Sequence, residues 1–260
     1  MHFPLTIPVP LTRRPRIVTL HDVLHRDVPG LVPARVRAFR RLAYDEAARR
    51  ADRVIVPSEF VRERAIARLG LDDRRVRVIH HGLDHELFRP GDEPREPFLL
   101  YPARVWPHKN HDLLFAAFAL VRRGRPELEL VLTGGGGRLP PLPAGVRSRG
   151  VVPPAELASL SRRASALVFP SRYEGFGWPV LEAMASGCPV AAARGGALEE
   201  VAGAAAVLFG LGSAADVAAG IETALAGGEA LGRRGVERAS AFTWARAAEL
   251  HDAVYAELEG

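Results

Sequence analysis

Two doubly wound α/β domains of parallel sheet, the first of them incomplete, are what this sequence predicts. Three observations carry the expectation. Short apolar runs such as Val54-Ile55-Val56 and Ala166-Leu167-Val168-Phe169 alternate with longer amphipathic stretches. That order gives parallel strands covered by helices. Residues 85–97 hold three prolines, a glycine and several charges, which marks a linker between two such series. The series are unequal: residues 97–230 suffice for a complete domain, whereas residues 16–90 supply about three strands, roughly half of one.

The elements follow in order. Residues 1–15 carry four prolines and no periodicity, so they read as loop. Arg16-Ile17-Val18-Thr19-Leu20 reads as a strand with His21-Asp22 at its carboxyl end, and a helix is expected over 33–51. A strand follows at 53–57. Ser58 then caps a helix through Leu69, and Gly70 stops it. Strand 76–79 runs into His80-His81-Gly82-Leu83-Asp84. Beyond the linker come strand 97–101, helix 112–123, strand 128–133, the run Gly134 to Gly137 and a short strand near 147–151. Helix 154–164, strand 166–170, helix 179–186, strand 189–193, helices 197–202 and 214–226, and a closing helix of 243–258 complete the chain.

Composition narrows the classes. The 260 residues are 48% hydrophobic and 25% charged, which is ordinary for a globular chain. No apolar run reaches membrane-spanning length, and Met1-His2-Phe3-Pro4 lacks the basic segment and apolar core of a secretory signal. The single cysteine, Cys188, allows no internal disulfide framework and no cysteine-rich metal site. A cytoplasmic protein is expected. Net charge is +5, carried by arginines, with Lys109 the one lysine. No basic run is interleaved with aromatics, so nucleic acid is not an expected partner. Arginine is densest from Arg35 to Arg53. That stretch reads as a solvated helix face, or else as a peripheral contact with anionic lipid at the inner face of the membrane.

The stretch from Ser171 to Ala183 is the most informative. Glu174 follows the strand at 166–170, and Glu182 lies about one turn into the helix opened by Pro179, a residue suited to a first helical position. Gly175 and Gly177 stand between them and let the backbone approach a ligand. Strand, glycine loop and helix N-terminus together form a phosphate-binding geometry, and a carboxylate on each side adds acceptors for hydroxyls. The pattern describes a pocket for a sugar attached to a diphosphate.

The sequence Glu-Gly-Phe-Gly-Trp-Pro-Val-Leu-Glu-Ala-Met-Ala-Ser-Gly at 174–187 resembles the signature of retaining GT-B glycosyltransferases of family 4, also called glycosyltransferase group 1. Thr19-Leu20-His21-Asp22, Pro57-Ser58-Glu59-Phe60, Val78 to Asp84, Pro102 to Asn110, and Ala241-Phe242-Thr243-Trp244 resemble further segments of that family, in its order. The resemblance covers roughly residues 16–258. It implies a partial, acceptor-side Rossmann-like domain with linker at 1–92, a nucleotide-sugar-binding domain at 93–240, and a helix at 241–260 crossing back to the first domain. The family's first strands and their glycine-rich loop have no counterpart before residue 16. A late start codon, a remnant, or a second chain that completes the fold would each account for this. The unpaired sheet edge left there predicts poor solubility.

The resemblance also implies roles. Arg104 and Lys109 stabilise the negative charge that grows on the leaving diphosphate. Glu182 accepts ribose hydroxyls, and Glu174 meets hydroxyls of the transferred sugar. Main-chain N–H groups around Gly175, Phe176 and Gly177 face phosphates or sugar. Gly134 and Gly135 either let the donor pass close or form a simple turn. The loop near Val151 and Val152 packs the base. His21 contacts the donor sugar, while Asp22 either orients its imidazole or meets the acceptor. Phe176 and Trp178 wall the sugar, or Trp178 joins the core. His80 and His81 make a poor metal pair, and Cys188 has no catalytic role. No bound metal and no cofactor are expected. The leading function is retaining transfer of a hexose, mannose first, from a GDP- or UDP-sugar to a glycan or lipid-linked acceptor. The alternative is a non-catalytic sugar-nucleotide-binding module or one subunit of a split transferase.

Overall fold

Every strand pairing among the described residues is parallel, as expected from strands that alternate with helices. The computed structural model describes residues 1–7 and 14–258. They form two units. Unit 1 comprises Met1–Gly82, Glu174–Phe176 and Phe242–Gly260, and unit 2 comprises Leu83–Tyr173 and Gly177–Ala241.

Unit 1 carries β1 (His2–Phe3), β2 (Ile17–Thr19), β3 (Arg53–Val56) and β4 (Val76–Val78), in the sheet order β1-β2-β3-β4. Alternation within the strands sends Val18, Val54 and Val56 to one face, where they pack with Leu20, Ala48, Val61 and Ala65. Ile17 and Ile55 go to the other, where they meet Ala247 and Val254. These last two belong to the C-terminal helix. Beyond that helix, Glu257 accepts from Arg53 Nε at 2.6 Å and Arg77 Nη2 at 2.8 Å.

The helices of unit 1 are α1 (Leu24–Asp27), α2 (Ala34–Arg40), α3 (Glu46–Arg50), α4 (Glu59–Leu69) and the C-terminal helix, Trp244–Ala256. α2 and α3 are joined without a break by a π turn at Arg41–Asp45, so the single helix expected over 33–51 is one rod with an irregular middle. α4 follows its local signals: Ser58 Oγ accepts from Val61 N, and Gly70 ends the helix at φ 67°. The reading of residues 1–15 as loop requires correction at β1, where Ile17 N donates to Met1 O at 2.9 Å. A two-residue strand is too short to show a period. Residues 8–13 of that stretch lie outside the described residues.

Unit 2 holds β5 (Glu96–Pro102), β6 (Glu129–Thr133), β7 (Val146–Ser148), β8 (Ala164–Phe169), β9 (Val190–Ala193) and β10 (Val207–Phe209), in the order β10-β9-β8-β5-β6-β7. Its helices are α5 (His111–Arg122), α6 (Pro154–Arg163), α7 (Trp178–Ala185), α8 (Gly196–Ala202) and α9 (Ala214–Ala239), which makes the C-terminal helix α10. Leu99, Leu100, Tyr101, Leu114, Leu167, Phe169 and Leu181 are fully buried at its centre. Two elements depart from expectation. β10 was not foreseen, and α9 continues to Ala239 past a break at Gly228 instead of ending near 226. Gly232 and Gly235 in its second half are packing positions: a Cβ on Gly232 would lie 2.2 Å from the Gly187 carbonyl, and one on Gly235 3.2 Å from Met184 Cα. Close approach to the end of α7 outweighs the low helix propensity of glycine.

No helix among the described residues is long and apolar enough to cross a membrane.

Candidate functional site

The strand order of unit 2 reverses between β5 and β8, the first and fourth strands of the unit. In open parallel sheets the crevice at the carboxyl ends of two such strands is where ligands bind. Arg104 and Lys109 follow β5, and Ser171 and Arg172 follow β8. The two loops are tied together there. Arg172 N donates to His108 O at 2.8 Å, Ser171 Oγ to His108 O at 3.3 Å, and Asn110 Nδ2 to Pro170 O at 3.2 Å. Tyr101, the fully buried tyrosine of β5, donates its hydroxyl to Lys109 O. Lys109 is therefore fixed through its main chain. Its ammonium stands 5.1 Å from the ring centre of Phe169, the last residue of β8, a distance suited to cation–π attraction. The Arg104 guanidinium lies 5.2 Å from the Trp106 ring.

The glycine run after β6 closes onto the same loop. Ala103 N donates to Thr133 O at 2.9 Å and Val105 N to Gly135 O at 3.1 Å. Gly134 has φ 118°, and a Cβ there would meet the Ala103 carbonyl at 2.6 Å. The turn itself thus demands glycine at 134. Val151 is 80% exposed, and a Cβ on Gly135 would lie 2.9 Å from its Cγ2. Gly177 is the N-cap of α7 at φ 104°. One turn further, Glu182 is half-buried, and no hydrogen bond or ion pair to its carboxylate exists among the described residues. Burial pushes its carboxyl up to about 7. An ionisable group left unanswered by its own fold is a functional-site signal.

The remaining candidates fall in unit 1. Glu174 and Gly175 are half-buried, and Phe176 is buried. A Cβ on Gly175 would lie 2.0 Å from the His21 carbonyl oxygen, so the main chains of His21 and Gly175 touch. Ser58 Oγ donates to Gly175 O at 2.8 Å while accepting from Val61 N. One hydroxyl therefore caps α4 and holds the tripeptide, and only the cap was foreseen from the sequence. Phe176 packs its ring on His81, Phe242 and His80, at centroid distances of 5.1, 6.0 and 6.2 Å. Its side chain is spent on packing, so the expectation that it walls a sugar gives way to a structural role. What it can offer a ligand is main chain. Trp178, in unit 2, is 41% exposed and does not join the core.

His21 is exposed, and its Nε2 donates to Pro4 O at 2.7 Å. A carbonyl accepts only, so this bond fixes the Nε2–H tautomer and leaves Nδ1 with a lone pair in the neutral ring. Asp22 does not orient the imidazole. It accepts instead from Leu24 N at 2.9 Å and Arg40 Nη1 at 2.8 Å. Burial pushes His81 and His2 down to about 4. Among the described residues no group of three His, Cys, Asp or Glu is placed to hold a metal. Cys188 is fully buried, and burial raises its thiol to about 12.

The model of the family described as "Glycosyl transferases group 1" matches residues 96–227, just over half of the chain. This chain belongs to the group 1 glycosyl transferases. A second model, "Glycosyltransferase Family 4", matches residues 2–87 of this transferase. The D-inositol 3-phosphate glycosyltransferase of Segniliparus rotundus is 31% identical over 230 residues, 76% of this chain and 51% of that protein. The protein of the same name from Kribbella flavida is 31% identical over 249 residues, 83% of this chain and 59% of that one. The group 1 transferase thus spans about half the length of these curated relatives. Among solved structures, sucrose-phosphate synthase of Thermosynechococcus elongatus superposes with a TM-score of 0.76 at 26% identity, covering 94% of this chain and 67% of that one. Anabaena HepE in complex with UDP-glucose superposes at 0.78 with 21% identity, covering 94% and 73%. The fold is the GT-B type.

Proposed function

We propose that this group 1 glycosyl transferase binds a nucleoside-diphosphate hexose and transfers the hexose, with retention, to a hydroxyl of a glycan or lipid-linked acceptor. The observation that carries the reading is the strand-order reversal of unit 2, with Arg104 and Lys109 after β5 and the unanswered carboxylate of Glu182 on α7. Arg104 and Lys109 neutralise the leaving diphosphate as the glycosidic bond breaks, an interaction stronger in the transition state than in the ground state. Glu182 accepts the ribose hydroxyls. Gly134, Gly135 and Gly177 line the donor with main chain. The resemblance of their segments to the family assigns contact with the hexose to His21 and Glu174, and main-chain contact to Gly175 and Phe176. The acceptor oxygen forms the new bond on the face the diphosphate leaves, and its proton passes to a phosphate oxygen of the leaving group. The two cations serve in place of a divalent ion.

HepE was solved in complex with UDP-glucose, which supports a uridine donor. The phosphate in the names of the inositol and sucrose enzymes supports a hydroxyl acceptor that carries phosphate. Mannose finds no support among these relatives, so the sugar is chosen by experiment. The test is calorimetric titration of the full chain with UDP-glucose, UDP-N-acetylglucosamine and GDP-mannose in EDTA, followed by assay for transfer. Binding of one donor without metal, with transfer, is the expected result. Binding without turnover favours the sugar-nucleotide-binding module or split enzyme. No binding of any donor overturns the reading.

A further inference from the structure

We propose that the exposed face of α2 and the π turn in unit 1 is a docking surface for an anionic lipid bilayer. The exposed positions between residues 34 and 42 are Ala34, Arg35, Ala38, Phe39, Arg41 and Leu42. At 3.6 residues per turn they share one side of the helix. Phe39 is 52% exposed and Leu42 77% exposed, on a face where a helix packed on a globular core presents polar groups. Both charged members of the face are arginines, and no carboxylate belongs to it. The acids of the same rod are engaged elsewhere. Asp45 is fully buried and accepts from His25 Nε2 and Arg26 Nε, both at 2.7 Å. Glu46 pairs with Arg49 and Arg50. Arg40 turns away to Asp22.

Large apolar side chains bracketed by guanidinium groups, with no negative charge among them, are the make-up of a helix that lies in the head-group plane. The rings and methyls enter the acyl boundary while the arginines meet lipid phosphates. A purely positive apolar face fits a negatively charged surface, and this complementarity selects the bilayer over a second copy of the same face, which would bring like charges together. Leu5, 79% exposed, adjoins Pro4, whose carbonyl holds His21. Through Arg40 and Asp22 the docking helix is one ion pair from the same strand end. On the reading of unit 1 as the acceptor side, the bilayer would present a lipid-linked acceptor at the His21 end of β2.

The test is co-sedimentation of the full chain with vesicles of phosphatidylglycerol and, separately, of phosphatidylcholine. Association with the anionic vesicles alone is expected, weakening as salt rises. Arg35→Ser with Arg41→Ser should weaken it by about 25-fold, at about fivefold for each cation lost. Phe39→Ser with Leu42→Ser should weaken it comparably, and all four side chains are exposed enough for the variants to fold. No anionic-vesicle binding, binding undiminished in both double variants, or a dimer that the Phe39–Leu42 variant converts to monomer would each overturn the proposal. Donor titration distinguishes this from failure of the functional reading, because it reports on Lys109 and Glu182 whatever the vesicles show.

Discussion

The two units handle ionisable groups in opposite ways. In unit 1 four acids are answered by side chains of the same unit. Asp27 is held by Arg64 and Arg68, Asp45 by His25 and Arg26, Asp22 by Arg40, and Glu257 by Arg53 and Arg77. In unit 2, ion pairs such as Glu96–Arg163 and Glu129–Arg147 sit where β5 and β6 begin. Past the carboxyl ends of the strands stands Glu182, with no protein partner among the described residues. Charge that stabilises a fold is paired, whereas charge kept for a ligand is left open at a cost. The difference points to the same end of unit 2 that is proposed to bind the donor.

The largest effect is expected from unpairing unit 1. Asp45→Ala strands Arg26 and His25, whose Nδ1 is already buried without a partner among the described residues. It should destabilise the chain by about 3–5 kcal/mol, read as a fall in denaturation midpoint. A loss under 1 kcal/mol would mean that the pairing in unit 1 contributes little. Next in size, Lys109→Ala and Glu182→Ala should each weaken donor binding by about 100-fold, or about 2.7 kcal/mol, while the chain stays folded. Unchanged affinity in either variant would remove that residue from the site.

A third effect has opposite signs in the two units. Folded His2 and His81 stay neutral down to about 4, whereas unfolded they protonate near 6.5. The unfolded chain then binds more protons, so unit 1 loses stability as pH falls from 6.5 towards 4. Folded Glu182 keeps its proton up to about 7 and the unfolded chain releases it near 4.5, so unit 2 loses stability as pH rises across that window. Glu182→Gln should therefore gain about 3 kcal/mol at pH 8 and almost nothing at pH 4, in melts at both values. Donor affinity of the unmutated chain should rise from pH 6 to pH 8, because hydroxyl donors favour the ionised carboxylate. Smaller still, Ser58→Ala should cost about 1–2 kcal/mol through the lost cap and the freed Gly175 carbonyl. Smallest of all, Cys188 should not react with a thiol reagent until the chain unfolds.

Much of the fold was legible because its signals are local. Ser58 and Gly70 bound α4 by chemistry contained within a few residues, and the apolar runs of β3, β5 and β8 stand out against their flanks. What escaped depends on contacts distant in sequence. The glycines of the second half of α9 read as helix breakers until Gly187 and Met184 are placed against them. The residues proposed for the donor side share one motif each with their neighbours in sequence, and the proposal could be read from those motifs. The bond from Ser58 to Gly175 spans 117 positions, and that from His21 to Pro4 depends on a strand of two residues. Neither leaves a periodicity or spacing to find. The burial of Phe176 was hidden for the same reason, since a phenylalanine in a glycine loop fits a sugar wall and a packed core equally well.

The π turn at Arg41–Asp45 has a consequence for how this helix can vary. A π turn carries one residue more than the α turn it replaces. It therefore acts as a phase shifter, setting the outward direction of Arg35, Ala38 and Phe39 against the inward direction of Asp45, Ala47 and Ala48. Deleting one residue from it would restore regular helix and rotate the preceding segment by about 100° relative to the following one. The arginine and phenylalanine side chains would then be driven towards the core while polar contacts with Asp22 and Asp45 were lost. Length changes in this rod should be tolerated in steps of three or four residues, close to a whole turn, and rejected in steps of one.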